Sequence, residues 1–260
     1  MKCYEVIEKL EALSPTAFAE EWDNIGLLAG RRDKEVGTVY IALDATDDVI
    51  DEAVRLGADL LLTHHPLIFR KLGRVNTDDF IGRRVCELIR NDISYYAMHT
   101  NFDVMGMADA AADELLLRDR QVLNITYEDD IAKEGCGRVG KLEKRMRVAE
   151  LAEFVKEKFH VPNVRVFGDL GDIVETAAVM PGSGGSYIRD ALNAGADVMI
   201  TGDVDHHEGI DAVAQGIAVI DAGHYGIEKL FVPYMEEFIR RELSGIQIYK
   251  AAVKEPFVVI

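Results

Sequence analysis

Apolar and polar residues along this chain follow two alternating rhythms. Thr38 to Leu43 (TVYIAL), Leu60 to Thr63 (LLLT) and Ile93 to Met98 (ISYYAM) are short apolar runs of β type. Between the first two lies DDVIDEAVRLG, whose apolar spacing is helical and which ends on Gly57, a residue suited to a helix C-cap. The opening MKCYEVIEKLEALS also has the spacing of an amphipathic helix. A second series begins near residue 148, with VAELAEFVKEKF as a helix, VRVFG and TAAVM as strands, YIRDALNAG as a helix, and ADVMIT and IAVID as strands. A final helix is predicted from about Ile227, with Ile227, Leu230, Phe231, Met235, Phe238 and Ile239 on one face. Strands alternating with helices in this way predict an α/β sheet.

The rhythm repeats. The stretch TVYIALDATDDVIDEAVRLGADLLLTHH, from Thr38, lies without gaps on TAAVMPGSGGSYIRDALNAGADVMITGD, from Thr176. Each copy carries Gly-Ala-Asp, three apolar residues and Thr, so Gly57 answers Gly195 and Thr63 answers Thr201. This predicts an internal duplication: an α/β fold of two similar halves. The first spans residues 1–125, with an N-terminal helix and loop over 1–30. Residues 126–147, rich in glycine and charge, read as a connector. The second half spans 148–260, its last helix placed to pack back on the first.

Composition narrows the chemistry. No apolar run approaches the roughly 18 to 20 residues of a membrane span, and the N-terminus does not read as a signal peptide, so a cytoplasmic location with no membrane partner is expected. Cys3, Cys86 and Cys136 lack metal-site spacing, which leaves nitrogen and oxygen as the donors for any metal. A formal charge of −17 argues against nucleic acid as a partner, because a grip on phosphate needs clustered Lys and Arg.

The two copies differ where ligands collect in open α/β sheets, beyond the carboxyl ends of strands. The first ends on His64-His65 and the second on Gly202-Asp203. Neighbouring side chains of an extended segment point apart, so adjacent histidines suit two different ions better than one. Pro66 holds His65 extended. The run AMHTNFDVMG adds His99 and Asp103, and DAGHYGIEKL adds His224 and Glu228, each pair four apart. Singly these have plain readings: a surface His pair, a turn histidine, Asp103 as a helix N-cap, an ordinary i,i+4 pair. Together His64, His65, Asp103, His224 and Glu228 make a donor set for two divalent ions, and two ions about 3.5 to 4 Å apart can share a water and lower its pKa. Mixed imidazole and carboxylate donors suit Zn, Fe, Mn, Co or Ni.

WDNIGLLAG from Trp22, LLLTHHPLIF, AMHTNFD, PGSGGS from Pro181, ITGDVDHHE from Ile200 and DAGHYGIEK from Asp221 closely resemble the Nif-three-like family of dinuclear metal-centre proteins, often called GTP cyclohydrolase I type-two homologues. The resemblance covers nearly the whole chain. It implies metal ligands at His64, His65, Asp103, His224 and Glu228, two α/β halves with the site in the cleft between them, and a ring-shaped homohexamer. Some members carry a domain inserted between the halves, and this chain lacks one. The activity implied is metal-dependent hydrolysis of a nucleotide or similar small-molecule substrate, with His99 and His207 moving protons. His99 reads as too near its strand for a direct ligand, and His207 matches a recurrent family histidine. His206 reads as solvent-exposed. PGSGGS reads equally as a phosphate-binding turn or as tight packing of small residues. Trp22, the single tryptophan, is expected to anchor the N-terminal helix, with Asp23 and Asn24 towards the site. The alternative function is a non-catalytic metal-binding or regulatory ring.

Overall fold

The computed structural model describes residues 1–259. In chain order the elements are α1 (Cys3–Leu13), β1 (Gly26–Ala29), β2 (Thr38–Ala42), α2 (Asp47–Arg55), β3 (Leu60–Thr63), α3 (Phe80–Arg90), β4 (Ser94–Ala97), α4 (Thr100–Phe102), a π-helical turn (Asp103–Met107), α5 (Ala108–Glu114), β5 (Arg118–Glu128) and β6 (Lys133–Arg147). Then follow α6 (Val148–Lys158), β7 (Arg165–Phe167), β8 (Ile173–Ser183), α7 (Ile188–Asn193), β9 (Val198–Gly202), α8 (His206–Ala214), β10 (Ala218–Asp221), α9 (His224–Glu228), α10 (Phe231–Glu242) and β11 (Gln247–Lys250). Among the described residues no helix is long and apolar enough to cross a membrane.

The chain divides into two compact units. The first comprises residues 1–102 and 231–254. Its sheet has the order β1-β4-β3-β2-β11, parallel except for β1 at one edge. Every residue of β3 is buried, as its unbroken LLLT run requires of a strand covered on both faces. The core on one side gathers Ile50, Leu61, Leu67, Val85, Leu88 and Tyr95. Thr46 starts α2 by accepting a hydrogen bond from the Val49 N–H, and Gly57, at φ +63°, ends it.

The second unit comprises residues 103–230 and the segment from Glu255. Its six strands run β5-β6-β8-β9-β10-β7, with β8, β9 and β10 parallel. Leu151, Val155, Phe159, Val179, Ile200 and Ile220 lie in its core.

The duplication survives in detail. Val39 pairs with Leu60 in the first sheet and Ala177 with Val198 in the second, the same register shifted by 138 residues. Each unit carries an antiparallel edge strand beside its last parallel one, β1 on β4 and β7 on β10. Even the loop chemistry repeats: Asp59 accepts the N–H groups of Gly37 and Thr38, and Asp197 accepts those of Glu175 and Thr176.

Two elements differ from the sequence reading. Residues 126–147 form most of a long β5–β6 hairpin rather than a connector. Their glycines serve close cross-strand approach, not flexibility: a Cβ on Gly135 would stand 1.9 Å from the Asn124 carbonyl oxygen. The final helix is also two helices, broken at Lys229 and Leu230. Pro233 accounts for the break, because its ring would clash with the carbonyl four residues back if the helix ran through.

Candidate metal centre

In the first unit the ends of β3 and β4 deliver a cluster of three imidazoles, His64 and His65 from the first and His99 from the second. Tyr95 and Thr63 fix the end of β3. The Tyr95 hydroxyl donates to the His65 carbonyl at 2.9 Å and accepts the Leu67 N–H at 2.7 Å, while the Thr63 hydroxyl donates to the same His65 carbonyl at 2.8 Å. Burial pushes the Tyr95 phenol well above its ordinary pKa, so it stays a neutral donor. His64 is fully buried, with the rings of Phe102 and Phe231 at 6.4 and 5.4 Å. The ring centroids of His64, His65 and His99 stand 4.9 to 5.6 Å apart. One ring nitrogen from each lies within 4.8 Å of the others.

What orients these rings decides their chemistry. Nδ1 of His64 meets the Met98 carbonyl at 2.8 Å, Nδ1 of His65 meets Asp44 at 2.8 Å, and Nδ1 of His99 meets Asp23 at 2.9 Å. A carbonyl or carboxylate can only accept, so each Nδ1 carries a proton, and in the neutral ring that makes Nε2 the electron-pair donor. Asp23 is itself clamped: it accepts from both the N–H and the hydroxyl of Thr100. Burial raises the Asp23 pKa, but hydrogen bonds from His99 and Thr100 outweigh burial and hold it at about 2.

The second unit holds its own imidazole and acids, His224, Asp103 and Glu228. The turn before α9 is pinned by Asp221, which accepts the N–H groups of Gly223 and Val204 and pairs with Arg165. His224 follows, its Nδ1 held by Asp203 at 2.9 Å and its Nε2 2.8 Å from Glu228, one helical turn on. Glu228 is 3 % exposed, and one of its oxygens lies within 4.8 Å of a carboxylate oxygen of Asp103. Asp103 sits inside the π-helical turn, not at a helix N-cap. With Nδ1–H spent on Asp203, the His224 Nε2 and the Glu228 carboxylate are two electron-pair donors at contact distance, and a cation or a proton must stand between them. Imidazole nitrogen beside a buried carboxylate oxygen fits a hard or borderline divalent ion.

The residue changes between the copies now have reasons. Gly202, at the place of His64, cannot carry a side chain, because a Cβ there would lie 2.4 Å from the His224 N. Asp203, at the place of His65, is the residue that orients His224. In PGSGGS, Cβ atoms on Gly182, Gly184 and Gly185 would strike Glu228, Thr201 and Glu208 respectively, so this is a packing turn with two carboxylates against it, a poor place for phosphate.

Other expectations fare differently. His99, expected to lie too near its strand for a direct ligand, joins the imidazole cluster, and its spacing His99-x3-Asp103 repeats as His224-x3-Glu228, 125 residues on. His206 and His207 lie exposed on the first turn of α8, and among the described residues neither joins a set of three close donors. Trp22 does not anchor α1. It is 58 % exposed, with its ring 5.7 Å from Phe69 and 6.0 Å from His99. Asn24 ties the two loops together through the Ile68 carbonyl. The orienting acids Asp44, Asp23 and Asp203 were not legible as such, because they reach their histidines across 21, 76 and 21 residues.

Comparison with known proteins shows the family. The family model described as Duf34/NIF3 (NGG1p interacting factor 3) matches residues 1–256. A Clostridium perfringens protein named GTP cyclohydrolase 1 type 2 homolog is 36 % identical over 261 residues, covering 99 % of each chain. Among solved structures, a Bacillus cereus protein related to NIF3 superposes with a TM-score of 0.91 at 27 % identity, covering 100 % of this chain and 99 % of that one. Reduced HcgD from Methanocaldococcus jannaschii superposes with a TM-score of 0.83 at 34 % identity, covering 96 % and 97 %.

Proposed function

Since the chain belongs to the Duf34/NIF3 family, we propose that it is a metal-dependent hydrolase that holds two divalent ions through His64, His65, Asp103, His224 and Glu228 and acts on a nucleotide or similar small molecule. One observation carries the reading. All four imidazoles, those of His64, His65, His99 and His224, turn Nδ1 to a carbonyl or carboxylate acceptor, the arrangement by which metal-ligating histidines are oriented and made more basic.

Two bound ions would supply Lewis acidity and lower the pKa of a water. The protein's own groups do the rest. Asp44 and Asp203 set the direction of His65 and His224. Phe102 and Phe231 keep water from the back of His64. His99, steadied by Asp23, moves protons at the site, and His207 is the second proton carrier of this reading. A homohexamer in the cytoplasm completes the proposal, supported by the family resemblance and by apolar side chains left exposed on the β5–β6 hairpin.

Element analysis of protein purified without added metal or His-tag is the decisive measurement. About two divalent ions per chain are expected, with a clear loss of stoichiometry in His65→Ala. Hydrolysis of GTP by the loaded protein is then compared with Glu228→Ala. Full occupancy with no turnover above that variant on nucleotides, phosphoesters or amides would remove the hydrolase and leave the metal-binding ring.

A further inference from the structure

The 64–79 loop between β3 and α3 runs straight out of the His64-His65 turn, and sixteen residues without regular structure are long for a connection in a compact unit. Beyond the turn it carries Phe69, Arg70, Lys71 and Arg74, all exposed. Phe69 and Trp22 form a tilted aromatic pair, and Trp22 also stands edge-on to His99, itself part of the imidazole cluster. An exposed tryptophan against an exposed phenylalanine leaves costly apolar surface in water. The cations are as unusual. In a chain of net charge −17, none of Arg70, Lys71 and Arg74 takes part, among the described residues, in an ion pair or a side-chain hydrogen bond. Two tilted aromatic rings, followed in the chain by positive charge, are complementary to a molecule with a planar ring at one end and an anion at the other.

We propose that Trp22 and Phe69 stack the heteroaromatic ring of a nucleoside phosphate, while Arg70, Lys71 and Arg74 receive its phosphates, so that the ring is presented beside His99 and the His64-His65 pair. This rests on the hydrolase reading for its purpose and adds to it the residues that select the substrate. Every aromatic base offers a π-face, so the aromatic pair sets class rather than base identity. The acidic balance of the chain favours a single nucleotide over a polyanionic strand.

Trp22 is the sole tryptophan, so intrinsic fluorescence reports this site alone. Titration of the protein as purified with guanosine, GTP and inorganic triphosphate is the test. Guanosine and GTP should quench the emission, GTP binding more tightly, and inorganic triphosphate should not. Phe69→Ala should weaken guanosine and GTP alike by about tenfold. The triple variant Arg70→Gln, Lys71→Gln, Arg74→Gln should weaken GTP and leave guanosine unchanged. Metal content and circular dichroism, measured in parallel, should not move in either variant. Emission indifferent to guanosine and GTP at millimolar concentration would overturn the inference, as would unchanged binding in Phe69→Ala, or quenching by a single-stranded oligonucleotide but by no mononucleotide. Metal occupancy is read separately: failed stacking with two bound ions sinks only the stacking, and intact quenching without metal sinks only the hydrolase.

Discussion

Gly182 shows how little room the second unit leaves around its acid. The backbone there has φ +73°, and a Cβ would stand 2.3 Å from the Glu228 Oε1. Gly182→Ala is therefore expected to cost about 1–3 kcal/mol in backbone strain and contact, and to lower metal content by displacing Glu228; thermal unfolding and element analysis read the two effects separately. Asp23 gives the pH dependence at this scale. Its folded-state pKa of about 2 lies below the ordinary value of about 4 for an unfolded chain. A depressed carboxyl pKa contributes stability that is fully present above about pH 4 and is lost as pH falls towards 2. Asp23→Asn should remove that contribution, so the difference in Tm between wild type and variant should shrink as the pH is lowered from 5 to 2.5. A difference that stays constant would show that the acid limb belongs to other carboxylates. Histidines and acids were legible from motif spacing; their partners were not, since nothing local in sequence marks Asp44 as facing His65.

Strands and helices repeat between the units closely enough to be tested as a pair. Asp59 and Asp197 each accept two backbone N–H groups at the start of an equivalent strand, at 2.8 to 3.0 Å. Alanine at either position should cost about 1–2 kcal/mol, of similar size in both, measured by chemical denaturation. A large cost at one site only would mean that the two units no longer share this support. The same repeat made the central strands and helices readable in advance, because both copies carry their apolar runs in step. It misled at the β5–β6 hairpin, where glycine and charge look like a linker until the close approach of Gly135 to Asn124 is seen.

For the whole molecule, the exposed side chains matter most. Ile125, Tyr127 and Ile131 are exposed on or at the tip of the β5–β6 hairpin, Ile131 at 93 %. Single exposed apolar residues are ordinary, but three on one hairpin suit the self-association proposed above. Light scattering should give a mass six times that of the chain for wild type and a smaller species for Ile131→Asp; a wild-type monomer would end the ring. By itself the sequence determined the α/β class, the duplication and the two His-x3-acid pairs, because strand runs, helical spacing and such pairs are local patterns. Only the tertiary structure decided which acid holds which imidazole, that Trp22 lies exposed beside His99 rather than under α1, and that the glycines of PGSGGS lie against Glu228, Thr201 and Glu208. Those facts depend on contacts between residues distant in the chain, and hydrogen bonds and excluded volume act through space.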